Sequence, residues 1–218
     1  MFDLFYTTRD MRTVCLTGGR VYLRPPLISD FAQWEELRRV SRDFLVPWEP
    51  TWTADALTRN AFKRRLRNYR NDWLDGWGYT FFIFERKNHQ LLGGVTLGKV
   101  SRGTSSSGTI GYWMGEPHAG KGFMKDALPT VSAFAFEKLK LHRLEAACLP
   151  ENVASKCVLG HAGFRQEGLA RRYLKINGEW EDHLTFGLLT DDDWRRPVVD
   201  PSHPAAYRFA EMLQDFDD

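Results

Sequence analysis

Cysteine is scarce in this chain. There are three in 218 residues (Cys15, Cys148 and Cys157), an odd number with no Cys-x-x-Cys spacing. That argues against a disulfide framework and a thiolate zinc site, and a reducing, cytoplasmic setting is expected. The six histidines are not paired at ligand spacing, so no metal is expected. No apolar run approaches the roughly 18–20 residues of a membrane span. The N-terminal Met1 to Tyr6 has no basic segment leading into an apolar stretch, so neither membrane contact nor secretion is expected. Charge of one sign is also lacking. Thirty Lys and Arg against 28 Asp and Glu leave a net +2, which supports neither nucleic-acid binding nor an acidic partner on its own. The only acidic run is Asp191-Asp192-Asp193, and no internal repeat or low-complexity segment occurs.

What is present is an ordinary globular composition, 43% hydrophobic and 27% charged. It fits one domain over residues 19–190, with a lead-in at 1–18 and a tail at 191–218. Val21 to Arg24 reads as a short strand closed by Pro25-Pro26. Asp30 with Gln33 forms a capping-box start for a helix striped by Phe31, Trp34 and Leu37. After a loop rich in proline and tryptophan (47–52), a second helix carries Phe62, Leu66, Tyr69 and Trp73 on one face and Lys63, Arg64, Arg67 and Arg70 on another. Tyr79 to Phe84 and Gln90 to Leu97 read as antiparallel strands across a polar turn, with a third strand ending at Met114. A helix ending near Lys140, a buried strand at 142–149 and a short helix at 152–161 follow. A hairpin then turns at Asn177-Gly178, and a helix-like segment spans Ala205 to Phe216. The order predicts a mixed α/β (α+β) fold with a largely antiparallel sheet.

The segment Gly111 to Leu128 carries the strongest local signal. A strand of β-formers stops at Pro117, Gly120 and Gly122 bracket Lys121, and helical spacing of apolar residues begins at Met124. A glycine turn feeding a helix N-terminus offers unpaired N–H groups and a positive dipole end, suited to a phosphate. Alone, the pattern is read equally well as a plain turn. Pro129 falls inside the helix and is expected to kink it or shift its first turn.

Downstream stand Asn152-Val-Ala-Ser155, Gly160-His-Ala-Gly-Phe164 and the hairpin. With them the ordered set resembles the GNAT superfamily of acetyl-CoA-dependent N-acetyltransferases, from Val21 to Leu189. Several segments are similar to its RimJ/RimL branch, and nearest to the RimJ-like proteins: Arg20-Val-Tyr-Leu-Arg-Pro-Pro26, Gly111-Tyr-Trp-Met114, Glu145 to Asn152, and Arg172 to His183. The resemblance implies a twisted, mostly antiparallel central sheet flanked by helices, with splayed strands that bind CoA. It implies a diphosphate loop over Ala119, Gly120, Lys121, Gly122, Phe123 and Met124, and backbone from Trp113 and Met114 for the pantetheine arm. The Met114 amide becomes the oxyanion donor. Asn152 holds the cofactor, and Ser155, near the thioester sulfur, becomes the proton donor to the leaving thiolate. Ala119 and Met124 depart from the commoner residues of the loop. Leu174 stands where some relatives have a catalytic glutamate, leaving the general base among Glu116, Glu145, Tyr173, Asp182 and His183.

The implied function is transfer of acetyl from acetyl-CoA to a protein N-terminal α-amine, with a ribosomal protein alanine as leading acceptor and ribosome contact following from it. No sequence-specific nucleic-acid binding is expected, and the oligomeric state is open. Acetylation of a small-molecule amine (polyamine, amino acid or antibiotic) and a non-catalytic acyl-CoA-binding module remain alternatives. The arginine-rich face from Arg59 to Arg70 reads first as a solvated helix surface, His118 as an exposed loop residue, and Cys157 as a buried structural thiol. The tryptophans Trp48, Trp52, Trp73 and Trp77 fall where the family builds its acceptor cleft.

Overall fold

A computed structural model describes Met11 and residues 14–192; the expected tail helix, Ala205 to Phe216, lies outside them. Eight strands form one sheet. They are β1 (Leu16–Thr17), β2 (Val21–Arg24), β3 (Tyr79–Glu85), β4 (Leu91–Ser101), β5 (Ser107–Met114), β6 (Arg143–Cys148), β7 (Arg165–Ile176) and β8 (Glu179–Leu189). Their order is β1-β2-β3-β4-β5-β6-β8-β7, and every pairing is antiparallel except β5 with β6. The helices are α1 (Phe31–Val40), α2 (Arg42–Leu45), α3 (Arg59–Asp75), α4 (Phe123–Ala133) and α5 (Val153–His161). The mixed, largely antiparallel reading therefore holds.

β3 shows why the sheet is central. Its sequence YTFFIFE is apolar at nearly every position because both of its faces are covered. Tyr79, Phe81 and Ile83 join the larger core beneath α4, with Met124, Ala127, Leu128 and Val131; Phe82 and Phe84 join a second core with Trp34, Leu37 and Phe62. The stripe on α3 is divided accordingly. Phe62 enters the second core and Trp73 the first, where its indole meets Tyr79, Phe81 and Phe134 at centroid distances of 4.8, 5.3 and 6.2 Å.

One local reading is corrected by tertiary contacts. Asp30 does not cap α1 with its side chain. Its buried carboxylate instead receives Arg24 Nη1 and Nη2 at 2.7 and 2.6 Å and the Leu27 N–H at 2.7 Å. Gln33 Oε1 accepts from the Leu91 amide, tying α1 to β4. A buried arginine needs a bidentate partner more than a helix needs a cap. Pro129 sits within α4, which runs through it; the helix departs from α geometry five residues later, where Phe134–Lys138 forms a π-helical turn closed by Leu139 N–H to Phe134 O.

The Asn177-Gly178 turn forms as read, with φ of 43° and 96°. The hairpin arms are longer than expected and carry a bulge at Arg172 (φ 46°), whose N–H donates to Asp182 Oδ1. The hairpin tip does not hang free: Asn177 N–H donates to Glu49 O at 2.9 Å, joining it to the loop between α2 and α3.

Candidate active site

The two parallel strands part company early. β5 and β6 are in register only from Ser107–Arg143 to Thr109–Glu145, after which β5 runs on to Met114 and β6 to Cys148 without pairing each other. On its other side β5 stays bonded to β4. Gly115 N–H donates to Leu92 O, so the two-residue alternation turns the peptide groups of Trp113 toward β4 and those of Tyr112 and Met114 into the gap. The gap thus has one edge of unpaired backbone, able to bond an extended, amide-bearing chain as a strand would. Of the two expected main-chain contributors, Met114 faces the gap; Trp113 presents its indole to the opposite face.

At the end of that gap lies the glycine turn. Gly120 and Gly122 have φ of 72° and 80°, a region that disfavours side chains. Gly122 is the N-cap of α4, no side chain caps the helix, and Asp126 N–H to Gly122 O is a first-turn helical bond. The amides before it are left for an external acceptor. A Cβ on Gly120 would meet nothing within 4 Å, so the turn borders open space. Arg20 staples it from behind: Nη1 donates to Lys121 O at 3.0 Å, Nε to Asp126 Oδ2 at 2.7 Å, and Cζ lies 4.9 Å over the Phe123 ring. His118 is buried under the loop with Nε2 unpartnered, contrary to the exposed reading. Burial, and secondarily Lys121, lowers its pKa, which keeps the imidazole neutral.

Beyond the gap, Asn152 N-caps α5 by accepting from the Ser155 amide at 2.9 Å. That cap fixes the first turn so that Ser155 Oγ meets Tyr112 Oη at 2.7 Å, across from β5. Burial raises the Tyr112 pKa, with the Ser155 hydrogen bond partly opposing it, so the phenol stays protonated. Cys148 on β6, raised by burial and likewise eased by Ser155, completes the cluster. Cys157, by contrast, is exposed, contrary to its reading as a buried structural thiol.

On the face of β5 opposite α4 opens a cleft of about 620 Å³. Gly94, Gly111, Tyr112 and Trp113 form its floor, Trp34, Tyr69 and Phe82 part of its wall, and residues 49–53 its lip. Trp52 is the member of the expected tryptophan group that lines it; Trp73 is core and Trp77 is largely exposed. Within the lip, Arg38 binds Glu49 through both guanidinium nitrogens (2.7 and 2.5 Å) and lies 4.3 Å from the Trp52 ring and 4.9 Å from Trp113. Trp52 Nε1 also donates to Glu49 Oε2 at 2.8 Å.

None of the five expected base candidates lines this cleft. Glu145 pairs with Arg143, Asp182 bonds the Arg172 amide, His183 is buried against Glu181 O, Tyr173 packs on His183, and Glu116 sits in a surface turn. Sequence reasoning missed Tyr112, Arg38, Glu49 and Arg20. Tyr112 was legible within Gly111 to Met114 once β5 is known to splay; the Arg38–Glu49 pair joins separate elements and left no local sign. Among the described residues no His, Cys, Asp and Glu cluster could hold a metal ion, and no helix is long and apolar enough to cross a membrane.

Comparison with known proteins bears on this geometry. A family model described as an acetyltransferase (GNAT) domain matches residues 20–165. A probable N-acetyltransferase YjcK of Bacillus subtilis is 37% identical over 82% of this chain and 98% of its own length. A ribosomal protein uS5-alanine N-acetyltransferase of Escherichia coli is 30% identical over 82% and 92%. Among solved structures, Mycobacterium smegmatis RimJ in complex with CoA-disulfide superposes with a TM-score of 0.77 at 31% identity, covering 92% of this chain and 93% of that one. The splayed strands, the uncapped glycine turn and these matches agree: the chain belongs to the GNAT family and is an N-acetyltransferase of the RimJ-like kind.

Proposed function

We propose that the enzyme moves the acetyl group of acetyl-CoA to the N-terminal α-amine of a protein, by direct attack in a ternary complex, with a ribosomal protein alanine as leading acceptor in the cytoplasm. The observation that carries the peptide reading is the composition of the 620 Å³ cleft: aromatic and neutral walls with two arginines, Arg38 and Arg65, and one carboxylate, Glu49, whose two oxygens are already held by Arg38 and Trp52. A polycationic small molecule needs several free carboxylates; an N-terminal residue followed by a neutral peptide needs apolar walls and hydrogen-bonding main chain. The named E. coli uS5-alanine and V. fischeri S5-alanine acetyltransferases, at 30% identity each, favour the same acceptor.

In this reading the amides from Gly120 to Met124, helped by Lys121, hold the diphosphate of the co-substrate at the α4 N-terminus, while the Ala119 N–H, given to Glu116 O at 3.1 Å, closes the turn before them. The gap-facing backbone of Tyr112 and Met114 orders the pantetheine arm; Trp113 shapes the acceptor wall and Asn152 sets the first turn of α5. The thioester supplies the activated acyl carbon. The neutral amine enters from the cleft over Gly111, the Met114 N–H receives the charge that develops on the carbonyl oxygen, and Ser155 protonates the departing thiolate. Among the described residues the one carboxylate lining the cleft, Glu49, is held by Arg38 and Trp52, so water in the open cleft accepts the amine proton and water likewise returns a proton to Ser155.

Thiol release from acetyl-CoA, followed in parallel with an alanine-leading peptide, spermidine, free amino acids and an aminoglycoside, tests this. Turnover confined to the peptide supports it. Turnover confined to a small amine overturns the acceptor, and tight CoA binding with no turnover overturns the activity.

A further inference from the structure

The basic helix α3 is the feature that the catalytic reading leaves unused, and the cleft shows which of its cations matters. Of the residues from Arg59 to Arg70, Arg65 and Tyr69 line the cleft. Arg65 is exposed, with Cζ 5.9 Å over the Trp34 ring. Outside the lining, Arg42 is exposed and stacks on the lip residue Trp52, with Cζ 5.5 Å from its ring. Neither is ion-paired with a described residue. The acids nearby are engaged elsewhere: Glu49 by Arg38 and Trp52, and Asp55 by Arg64 and the Thr53 hydroxyl. Stacking on tryptophan holds a guanidinium in place while leaving its N–H edge free.

We propose that Arg42 and Arg65 select acceptors with acidic side chains at the second to fourth positions, behind the reacting amine. The inference rests on the peptide reading above and narrows it. A chain whose first residue occupies the floor at Gly111 and Trp113 must leave past the lip, where these two cations have no ion pair with a described residue. The same cations repel a lysine-rich segment or a polyamine. Arg65 lines the cleft and Arg42 stacks on Trp52 of its lip, whereas Lys63 and Arg67 do not line it, which sets the arginine pair apart from a continuous nucleic-acid track.

The test uses the full-length enzyme, saturating acetyl-CoA, and three peptides with the same N-terminal alanine and Glu, Gln or Lys at positions 2–4. An exposed ion pair is worth roughly a factor of 1.5 to 5. Two of them give the Glu peptide on the order of tenfold higher kcat/KM than the Gln peptide. The Lys peptide falls below both, and the spread shrinks as salt is raised. The double variant Arg42→Gln/Arg65→Gln levels the series, and a Tm and CoA affinity equal to the parent's are the controls that exclude misfolding. Equal kcat/KM across the series in the parent enzyme overturns the inference and leaves the peptide reading standing. So does a preference that survives the double substitution. Failure of all three peptides alongside turnover of a small amine sinks the peptide reading itself. A flat series combined with competitive inhibition by a short RNA reassigns the arginines to nucleic acid.

Discussion

Two glycines on adjoining strands, Gly94 paired with Trp113 and Gly111 with Thr96, give contrary predictions, and together they test where the acceptor binds. Gly111 on β5 lies in the cleft floor; a Cβ built there meets nothing within 4 Å, and its φ is not positive. Gly94 on β4 also borders the cleft, but its Cβ would lie 2.7 Å from Trp113 Nε1 and 3.2 Å from Phe81 O. Replacing Gly111 with alanine removes backbone freedom from the unfolded chain and adds about 0.5–1 kcal/mol of stability. For a domain this size that raises Tm by roughly 1–4 °C. Leucine at the same place fills the space that the incoming amine must occupy. If misplaced methyl groups cost about 1–3 kcal/mol, the acceptor KM rises or kcat/KM falls between about 10-fold and 200-fold. CoA affinity stays unchanged, because the glycine turn and the gap edge are untouched. Gly94→Ala instead overpacks Trp113 at a cost of about 1–3 kcal/mol, lowering Tm and activity together. Differential scanning calorimetry, calorimetric titration with CoA and initial rates on an alanine-leading peptide separate the two. Gly111→Leu with parental peptide kinetics would refute the assignment of this cleft to the acceptor.

Gly122→Glu places a carboxylate and a Cβ against the positive-φ N-cap of α4, 3.0 Å from Arg20 Nη2, and should abolish CoA binding in a titration; retained affinity would mean that the diphosphate binds elsewhere. Ser155→Ala should lower kcat on the order of 10- to 100-fold with CoA affinity nearly unchanged, while Tyr112→Phe, which removes only the bond orienting that hydroxyl, should show a smaller drop. An unaltered kcat in the alanine variant removes Ser155 from the chemistry. Asp30→Ala leaves Arg24, 5% exposed, without its bidentate partner and should cost about 3–5 kcal/mol in urea unfolding; a loss under 1 kcal/mol would show that water reaches the pair. His118 has its pKa depressed below 6.5 by burial, so its contribution to stability is complete above that value and is lost as the pH falls through the depressed folded value. His118→Phe should flatten the decline of the urea midpoint as the pH falls below about 6.5, and an undiminished slope would exonerate the histidine.

The parts of the fold that sequence made legible are those set by neighbours in the chain. Val21–Arg24, the three central strands, the glycine turn and the Asn177-Gly178 hairpin follow from alternation, from left-handed backbone that glycine and asparagine accept, and from proline stops. Where a residue had a better partner far away, local reasoning failed. Asp30 has the composition of a capping box and serves Arg24 instead. His118 sits in a polar loop yet is buried, because Phe123 and the base of the turn close over it. Cys157 and Ser155 are two residues apart on α5, and the short helix turns one to solvent and the other to the gap.

The same distinction separates the two halves of the active site. The donor half is built largely from main chain: amides at one helix terminus, the unpaired edge of one strand, and one asparagine cap. Backbone chemistry is available to any sequence that can adopt the conformation, so what selection must keep is a few glycines and one cap. Those are contiguous and readable. The acceptor half is built from side chains of four separate segments, with Arg38 from α1, Glu49 and Trp52 from the lip, Tyr69 from α3 and Trp113 from β5. Its lip is in turn held by the Asn177 amide of a hairpin more than a hundred residues away in sequence. Each of these side chains can change without disturbing the sheet, provided that its partner changes with it. A single fold can therefore hold one donor constant while its acceptors diverge. The charge carried by Arg42 and Arg65, each stacked on a tryptophan beside the cleft, is then the part freest to set which acceptor is taken.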